Sequence, residues 1–184
     1  MNGKLPASAS VASPLEGVKL HAPSSARNAD ALCALLSKYA PSTGDALELA
    51  SGTGQHIVSF AKTKPDLTWQ PTDVDPTRLA SIDAYRTDAE LANVRPALHL
   101  NATSAGWHRD HAPKDLIILN NLLHLISAPQ AERLITEAVA TLSENGCFIL
   151  YGPFKRNGQL ISEGDAGFDA DLRGADPAIG YKDD

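Results

Sequence analysis

In the stretch ALELASGTGQHIVSFA, residues 46–61, two apolar segments are separated by two glycines with one residue between them. The run ALELA is typical of a short strand, and QHIVSFAKTK after the glycines is typical of a helix. Glycine at such a turn lets the backbone approach a ligand closely, and the helix that follows presents free N–H groups at its start. The stretch therefore predicts a ligand-binding turn, suited to a dinucleotide or to a nucleoside without a pyrophosphate.

The glycine spacing favours the second of these ligands. The dinucleotide fingerprint has a third glycine three residues after the second, where this sequence has Ile57, and begins with a glycine where this sequence has Ala50. Asp73 lies about 20 residues after Gly54, the position from which an acid accepts hydrogen bonds from both ribose hydroxyls. Taken alone, Asp73 also fits a turn or helix-capping acid. The turn therefore indicates a nucleoside rather than NAD.

The elements that must position these residues alternate between strand and helix. Strands are predicted over 46–50, 67–73, 96–102, 115–121 and 146–152, and helices over 24–41, 55–64, 76–87 and 127–145. This alternation predicts an α/β fold, a Rossmann-like doubly wound and mostly parallel sheet flanked by helices. Ligands bind beyond the carboxyl ends of the strands in such sheets, so the residues directly after each strand form the candidate site.

Length and composition bound the class of protein. The 184 residues, 43% of them hydrophobic, suffice for one domain with a substantial core, and a net charge of −6 gives no basic footprint for nucleic acid. The longest apolar stretch, 116–126, is interrupted by polar residues and is too short to span a bilayer. We expect a flexible tail at 1–21 and a soluble, cytoplasmic domain at 22–184, with buried thiols at Cys33 and Cys147.

Several strings at the strand ends resemble a known family. The order EL-A-SGTG, followed by an acid after the second strand, resembles the cofactor site of class I S-adenosylmethionine-dependent methyltransferases. More narrowly, SSARN, ELASGTGQH, LTWQPTDVDP, NNLLHLI, LYGPFKRNG and FDADLRGADP resemble the methyltransferase-like 26 family, long described as a domain of unknown function. The resemblance runs from about Ala22 to the last residue. It implies a seven-stranded sheet, although no pattern for the last two strands follows strand five.

The resemblance implies S-adenosylmethionine at the ends of strands one, two and four. The methionine and ribose would be wrapped by Glu48, Ala50, Ser51, Gly52, Thr53 and Gly54. Asp73 would hold the ribose hydroxyls, with Val74 against the adenine. Asn101 and Ala102 would flank the adenine edge, although Asn101 replaces the acid expected there. Asn121 would line the crevice beside the transferring methyl group.

Methyl transfer from a sulfonium is an in-line displacement, so the protein chiefly positions the acceptor and excludes water. His124, after strand four, is the candidate general base, needed only for a nucleophile that arrives protonated, and Asn121 is the second candidate catalytic residue. The same two residues also fit a core histidine satisfied by backbone and a helix cap. Tyr151 and Phe154 are candidates for an aromatic wall over the acceptor, or for closing the core.

Other polar residues are weaker candidates. The run WHRDH, 107–111, fits no zinc spacing, so we interpret it as a solvated loop and predict no metal. We interpret His56 as a surface or capping imidazole. Arg27 and Asn28 correspond to residues that the resemblance places over the cofactor, and alone they fit capping and surface positions.

The sequence after Pro153 is rich in glycine, aspartate and polar residues, and is predicted to be either a lid-like loop or a tail that cannot bury itself. Its acidic runs, 163–165 and 169–171, are expected to be solvated, with the further hypothesis that they line the acceptor entrance and favour a cationic substrate. If strand five is an exposed edge, its FILY sequence is a candidate seam for a homodimer.

We therefore expect an S-adenosylmethionine-dependent methyltransferase with an unidentified small-molecule acceptor and no membrane or nucleic-acid partner. The first alternative is a non-catalytic protein of the same fold that binds the cofactor or a protein partner. The second, an NAD-dependent oxidoreductase, is disfavoured by Ile57.

Overall fold

The computed structural model describes residues 5–6 and 9–184 and alternates strands with helices. The strands are β1 (Ser13–Pro14), β2 (Leu20–His21), β3 (Gly44–Leu49), β4 (Leu67–Asp73), β5 (Leu98–His99), β6 (Lys114–Asn120), β7 (Leu142–Tyr151), β8 (Phe154–Lys155) and β9 (Lys182–Asp183). The α-helices are α1 (Pro23–Tyr39), α2 (Gln55–Thr63), α3 (Pro76–Asp88), α4 (His108–His111), α5 (Ala128–Thr141) and α6 (Glu163–Ala175), and a 3₁₀ turn covers Leu123–Leu125.

Five strands form a parallel sheet in the order β5-β4-β3-β6-β7. The chain leaves the central strand β3 toward β4 and β5, then returns across the sheet to β6 and β7. The winding direction therefore reverses between β3 and β6, which is where ligands bind in sheets of this kind. The structure confirms the predicted doubly wound α/β fold, with five strands in the sheet where the resemblance implied seven.

Helices cover both faces of the sheet. One core cluster joins the sheet to α1, α2 and α3 through fully buried side chains such as Leu36, Phe60 and Ile82. The second cluster joins the opposite face to α5 through Leu134 and Ala138. Each fully buried leucine contributes about 1.5–3 kcal/mol relative to an exposed one, so both layers hold the carboxyl ends of the strands in place.

Helix α1 begins without a side-chain cap. Its N-cap is Ala22, and Pro23 is its first residue. The Ala22 N–H donates to Gln55 Oε1 at 2.6 Å, which ties α1 to the start of α2. Leu32 and Leu36 of this helix are fully buried, whereas Leu35 and Tyr39 are 37% and 56% exposed. At the start of α5, the Ser127 N–H donates to Gln130 Oε1 at 2.9 Å, as in a capping box.

The hairpin of β1 and β2 lies within the predicted N-terminal tail. It packs on α3, where the Leu20 N–H donates to Ser81 Oγ at 2.8 Å and Tyr85 Oη donates to the Leu20 carbonyl at 3.1 Å. The first part of the predicted tail, residues 1–4 and 7–8, lies outside the described residues. The division of the chain at residue 22 stays a prediction.

The C-terminal segment is neither a loop nor an unburied tail. Ser162 caps α6 by accepting the Asp165 N–H at 3.1 Å, and β8 pairs in parallel with β9. Leu172 of α6 packs with Ile179 and Tyr181 in a third, small core cluster. The prediction for this segment is therefore wrong, because its few apolar residues are brought together by a helix and a returning strand.

Two further findings concern the outside of the fold. β7 forms one edge of the sheet within the described part of the chain, and the predicted third strand is reduced to the two residues of β5. Among these residues, no helix is both long and apolar enough to cross a membrane. The thiols of Cys33 and Cys147 are free and half-buried against the first core cluster.

Candidate functional site

The turn between β3 and α2 has a left-handed backbone at three positions. The φ angles are 51° at Ala50, 62° at Gly52 and 90° at Gly54. A Cβ on Gly54 would lie 2.7 Å from the Ile82 Cα on α3, so only glycine allows α2 and α3 to approach this closely. A Cβ on Gly52 would meet nothing within 4 Å, so this glycine faces open space. Ala50 stands where the general motif has its first glycine, and it still adopts a left-handed φ.

Hydrogen bonds to β4 and α3 hold this turn. The Ser51 N–H donates to the Thr72 carbonyl at 2.7 Å, and Ser51 Oγ accepts the Thr72 N–H at 3.1 Å. Ser81 Oγ donates to the Thr53 carbonyl at 2.7 Å. Because both strands and α3 contribute partners, the turn is fixed in shape without a ligand.

Asp73, the last residue of β4, is attached to the same turn. Its carboxylate accepts three main-chain N–H groups, from Gly52 at 2.9 Å, Val74 at 2.8 Å and Asp75 at 3.0 Å. The side chain is buried, and the Arg78 guanidinium lies 4.0 Å away. A carboxylate offers about four lone-pair positions, so one remains for a hydroxyl. The predicted acid is therefore in place and oriented by backbone.

A cavity of about 790 Å³ opens between the ends of β3 and β6. The predicted site residues that line it are Glu48, Ala50, Ser51, Gly52, Thr53, Asn121, His124 and Tyr151. The predicted residues outside its lining are Gly54, Asp73, Val74, Asn101, Ala102 and Phe154. The structure therefore brings the methionine-side candidates except Gly54 together with the catalytic candidates, and leaves the adenine-side candidates outside the cavity.

The adenine-side candidates follow β4 and β5. Val74 is 39% exposed, and Asn101 is exposed with its Oδ1 accepting from Thr103 N at 3.0 Å and Thr103 Oγ1 at 2.8 Å. Ala102 is buried beneath Trp107, whose Nε1 donates to the Ala102 carbonyl at 3.1 Å. These residues form an open ledge beside Asp73 rather than a closed pocket.

Glu48 lies on the floor of the cavity. Its side chain is almost completely buried, and its Oε2 has no hydrogen-bond partner among the described residues. Burial raises the pKa of the Glu48 carboxyl to about 8. The group therefore carries a proton over most of the neutral range, and either a donor or an acceptor can satisfy it.

His124 lies at the opposite end, in the turn after β6. Its imidazole packs against the rings of Phe168 and Tyr181, with centroids 5.7 Å and 6.1 Å away, and its Nδ1 has no partner within the described chain. Burial, and the positive charge of Lys182, lower the pKa of His124 to about 4. The imidazole is neutral at pH 7, as a general base must be. Beside it, Asn121 has a left-handed φ of 54°, and its N–H donates to the Tyr151 carbonyl at 2.8 Å.

Comparison with known families identifies the chain. The family described as "Protein of unknown function (DUF938)" matches residues 19–184. The chain belongs to the DUF938 family. The match begins at the β1–β2 hairpin and includes every strand of the central sheet.

Solved structures similar in fold to this DUF938 protein include O-methyltransferases. An O-methyltransferase family protein from Burkholderia thailandensis has a TM-score of 0.72 at 18% identity, over 86% of this chain and 48% of that one. A putative O-methyltransferase from Nostoc punctiforme PCC 73102 has a TM-score of 0.72 at 17% identity, over 86% and 46%. PigF, crystallised with SAH, has a TM-score of 0.68 at 15% identity, over 86% and 47%. The DUF938 protein thus shares its fold with these three proteins and spans about half their length.

The DUF938 protein buries His56, which the sequence had placed at the surface. With the Asn28 amide oriented so that its nitrogen faces His56, this nitrogen donates to His56 Nε2 at 2.8 Å. The same nitrogen donates to the Ser24 carbonyl at 2.8 Å. The imidazole stacks on Phe60 at 5.3 Å, and burial lowers its pKa to about 4. The surface interpretation is wrong because Asn28, a distant partner, supplies the hydrogen bond. Asn28, His56 and Arg27 all line the cavity, as the resemblance implied for residues 27 and 28.

The WHRDH segment is a structural support. Trp107 is buried, and Glu137 of α5 accepts from Gly106 N at 2.7 Å, His108 N at 3.1 Å and His108 Nδ1 at 2.7 Å. These hydrogen bonds lower the pKa of Glu137 to about 2. The expectation of a solvated loop is therefore wrong for Trp107. Across the residues that the structure describes, no three His, Cys, Asp or Glu side chains are grouped to hold a metal ion.

Sequence reasoning missed several parts of the cavity wall. Both polar atoms of the Asn120 amide are buried there without partners in the described chain. Phe168 of α6, Arg78 of α3 and residues 9–12 also line it. Phe168 belongs to the string FDADLRGADP. This string contributes to the family resemblance, but nothing in it predicts a role for the phenylalanine.

The structure decides one expectation about the acceptor end and corrects another. Phe154, a candidate for a wall over the acceptor or for closing the core, lies in β8 and packs on the second core cluster, as the second alternative predicts. The acids at 163–165 and 169–171 do not line the cavity, and Asp169 is buried rather than solvated. The cavity wall therefore offers a cationic acceptor no carboxylate from these runs, and it carries the two arginines 27 and 78.

Proposed function

We propose that this DUF938 protein is an S-adenosylmethionine-dependent methyltransferase that acts on a small-molecule acceptor. One observation carries the proposal: a preformed turn with Asp73 attached to it opens on a cavity that ends at a neutral, buried His124. The turn with Asp73 supports a nucleoside site, and the neutral His124 in the wall of the same cavity supports a base. The similar structures that hold SAH support the same cofactor for this chain.

The residues present suit the chemistry of this cofactor. Glu48 Oε2 and the Asn120 amide are buried polar groups without partners, and an amino-acid group supplies the donors and acceptors that they lack. Gly52 faces open space at the turn, where a side chain would occupy the ligand's volume. Asp73 would accept one ribose hydroxyl at its remaining acceptor position, and the ledge of Val74 and Asn101 would hold the adenine.

The chain's own residues have a simple part in the reaction. The bound cofactor supplies a methyl group on a sulfonium, which is the reactive group. For an acceptor that arrives protonated, neutral His124 would take up the proton that the acceptor gives up on receiving the methyl group, while the carbon–sulfur bond breaks and its electron pair stays on sulfur. Tyr151 and Phe168 flank this end and exclude water, and Asn121 lines the crevice between them.

The packing of α2 disfavours an NAD-dependent oxidoreductase. Ile57 stands where the third glycine of the dinucleotide fingerprint would allow a close approach of helix to sheet. Here Ile57 is fully buried in the first core cluster, next to Phe60. A large side chain therefore separates α2 from the sheet. Because helix and sheet do not approach closely, the first turn of α2 does not suit a pyrophosphate.

Calorimetric titration with SAH, with NAD as the comparison ligand, tests the proposal. We expect SAH to bind at micromolar concentration and NAD not to bind. Asp73→Ala should weaken SAH binding by about 1.5–3 kcal/mol, because a ribose hydroxyl loses a charged acceptor. Asp66→Ala, at an exposed aspartate before β4, is the control and should leave the affinity unchanged.

The outcomes separate the alternatives. Binding of NAD alone would contradict the proposal, as would SAH affinity unaffected by Asp73→Ala. SAH binding without methyl transfer to any member of a panel of hydroxylated and aminated acceptors would favour the non-catalytic alternative.

The narrower expectations are part of the same proposal. The quoted strings support membership of the methyltransferase-like 26 family, and we propose a cytoplasmic protein without a nucleic-acid partner. The exposed edge of β7 supports a homodimer formed by strand pairing. Sedimentation equilibrium measures this directly: a mass near 19.5 kDa at all concentrations would contradict the dimer.

A further inference from the structure

The segment from α6 to β9 contacts His124 and the turn that carries it. The Gly180 N–H donates to the His124 carbonyl at 3.0 Å. The rings of Phe168 and Tyr181 lie against the imidazole, with centroids 5.7 Å and 6.1 Å away. Lys182 Nζ donates to the carbonyl of Ile126, on the same turn as His124. The main chain and the ring of His124 are therefore both held from the α6–β9 segment.

Asp169 holds this segment in its shape. Its carboxylate is buried, accepts the Tyr181 N–H at 2.6 Å through Oδ1, and accepts Arg173 Nε at 2.9 Å through Oδ2. Gly180 has a φ of 124°, and a Cβ there would lie 2.7 Å from Asp169 Oδ1. The loop from α6 to β9 therefore passes directly over the carboxylate. Hydrogen bonds to an ionised carboxylate are about twice as strong as neutral ones, so this contact is the firmest in the loop.

We propose that Asp169 is a positioning residue for His124: by fixing Gly180 and Tyr181, it orients the imidazole at the acceptor end of the cavity. This inference rests on the proposed function, since the orientation matters for catalysis only if His124 takes the acceptor's proton. His124 makes no side-chain hydrogen bond of its own within the described residues. The aromatic side chains therefore orient its ring. Asp169 fixes the main chain of one of them, Tyr181, whose hydroxyl also donates to Asp165 Oδ1 at 3.0 Å.

Nuclear magnetic resonance of the histidine ring protons tests this without cofactor or acceptor. The six histidines give few resonances, and His124→Gln identifies the one from His124 by its absence. In the unmodified protein this resonance should be displaced by the ring currents of Phe168 and Tyr181. It should titrate well below pH 6, because the ring is buried and Lys182 faces it.

Asp169→Asn keeps the shape of the side chain and removes its charge. We expect the His124 resonance to move toward the position of an exposed histidine and to titrate at higher pH. Asp171→Asn, two residues away on the exposed face of α6, is the matched control and should leave the resonance unchanged. An Asp169→Asn protein that is folded by circular dichroism and has an unmoved His124 resonance overturns the proposal.

A second variant covers the case in which Asp169→Asn does not fold. Arg173→Gln removes the side-chain partner of Asp169, leaves the main-chain partner Tyr181 N–H, and lies at an exposed position. It should move the same resonance in the same direction by a smaller amount. A folded Arg173→Gln protein with an unchanged resonance would then count against the proposal.

Turnover with an accepted substrate provides the functional readout. Asp169→Asn should lower kcat by about tenfold or more through misorientation of the base, with the KM for S-adenosylmethionine and the affinity for SAH within twofold. A rise in that KM with kcat unchanged would overturn the positioning role. If SAH does not bind even to the unmodified protein, the proposed function fails, and the resonance measurement still decides whether Asp169 orients His124.

Discussion

The two ends of the cavity are built in different ways. The cofactor end is made of main chain from the neighbouring segments 48–54 and 72–75, joined by short hydrogen bonds. The acceptor end is made of side chains from β6, β7 and α6, which are far apart in sequence and meet mainly through aromatic packing. A site fixed by backbone needs particular glycines, whereas a site fixed by packing needs distant segments to be held against each other.

The largest expected effect is a loss of turnover without a loss of SAH affinity, from a substitution at the acceptor end. His124→Gln should lower turnover by about 10²–10⁴-fold, the range that a general base contributes. SAH affinity should stay within twofold, because the imidazole lies beyond the nucleoside part of the cavity. Steady-state kinetics and calorimetry on one preparation would measure both. A large loss of SAH affinity would show that the two ends are not separable.

The next largest effect is a loss of stability caused by a backbone clash in the glycine turn of the cofactor end. Gly54→Ala should lower the free energy of unfolding by about 2–4 kcal/mol, because the new Cβ meets the backbone of α3 at a left-handed position. Gly52→Ala is the matched control, with a left-handed φ and no atom within 4 Å, and should cost only about 1–2 kcal/mol. Urea denaturation measures both values. Equal losses would mean that the contact with Ile82 is unimportant.

A smaller effect concerns the ledge beside the cofactor end, which depends on Glu137. The pKa of Glu137 is about 2 in the folded protein, below its ordinary value of 4.5, so its ionised form stabilises the fold above pH 4.5. That contribution is lost as the pH falls from 4.5 through 2. Glu137→Gln should therefore lower the denaturation midpoint most at pH 7, and the difference from the unmodified protein should narrow below pH 4.5. A difference independent of pH would contradict the role assigned to the carboxylate.

The smallest expected effect is a gain in the free energy of unfolding. Ala50 holds a φ of 51°, which costs an alanine about 1–2 kcal/mol relative to its preferred conformations, and the general motif has glycine there. Ala50→Gly should therefore stabilise the protein by up to about 1 kcal/mol, since glycine also loses more entropy on folding. SAH affinity should not change. A loss of stability on urea denaturation would show that the methyl group of Ala50 packs usefully against the second core cluster.

The contrast between the two ends also explains how much could be predicted from the sequence. β4 begins and ends where its pattern indicated, at Leu67 and Asp73, and α3 begins after its predicted cap at Asp75. Both rest on local signals: an apolar run that ends in an acid, and an Asp-Pro pair that starts a helix. The cofactor end could be read in the same way because its residues follow consecutive strands.

The contribution of α6 to the acceptor end could not be predicted, because its signals are not local. The sequence of α6 contains three glycines and few apolar residues, and it becomes a helix because Leu172 and Phe168 pack against residues far away in the chain. The burial of His56 likewise depends on Asn28, 28 residues earlier. No periodicity within either segment carries this information.

The order of synthesis gives the third core cluster a further consequence. Ala9 packs against the cluster of Leu172, Ile179 and Tyr181, so the segment before β1 meets a segment more than 160 residues later. A ribosome therefore synthesises the floor of the cavity, in β3, well before the wall that carries Phe168. The growing chain cannot enclose a ligand in this cavity until α6 has emerged.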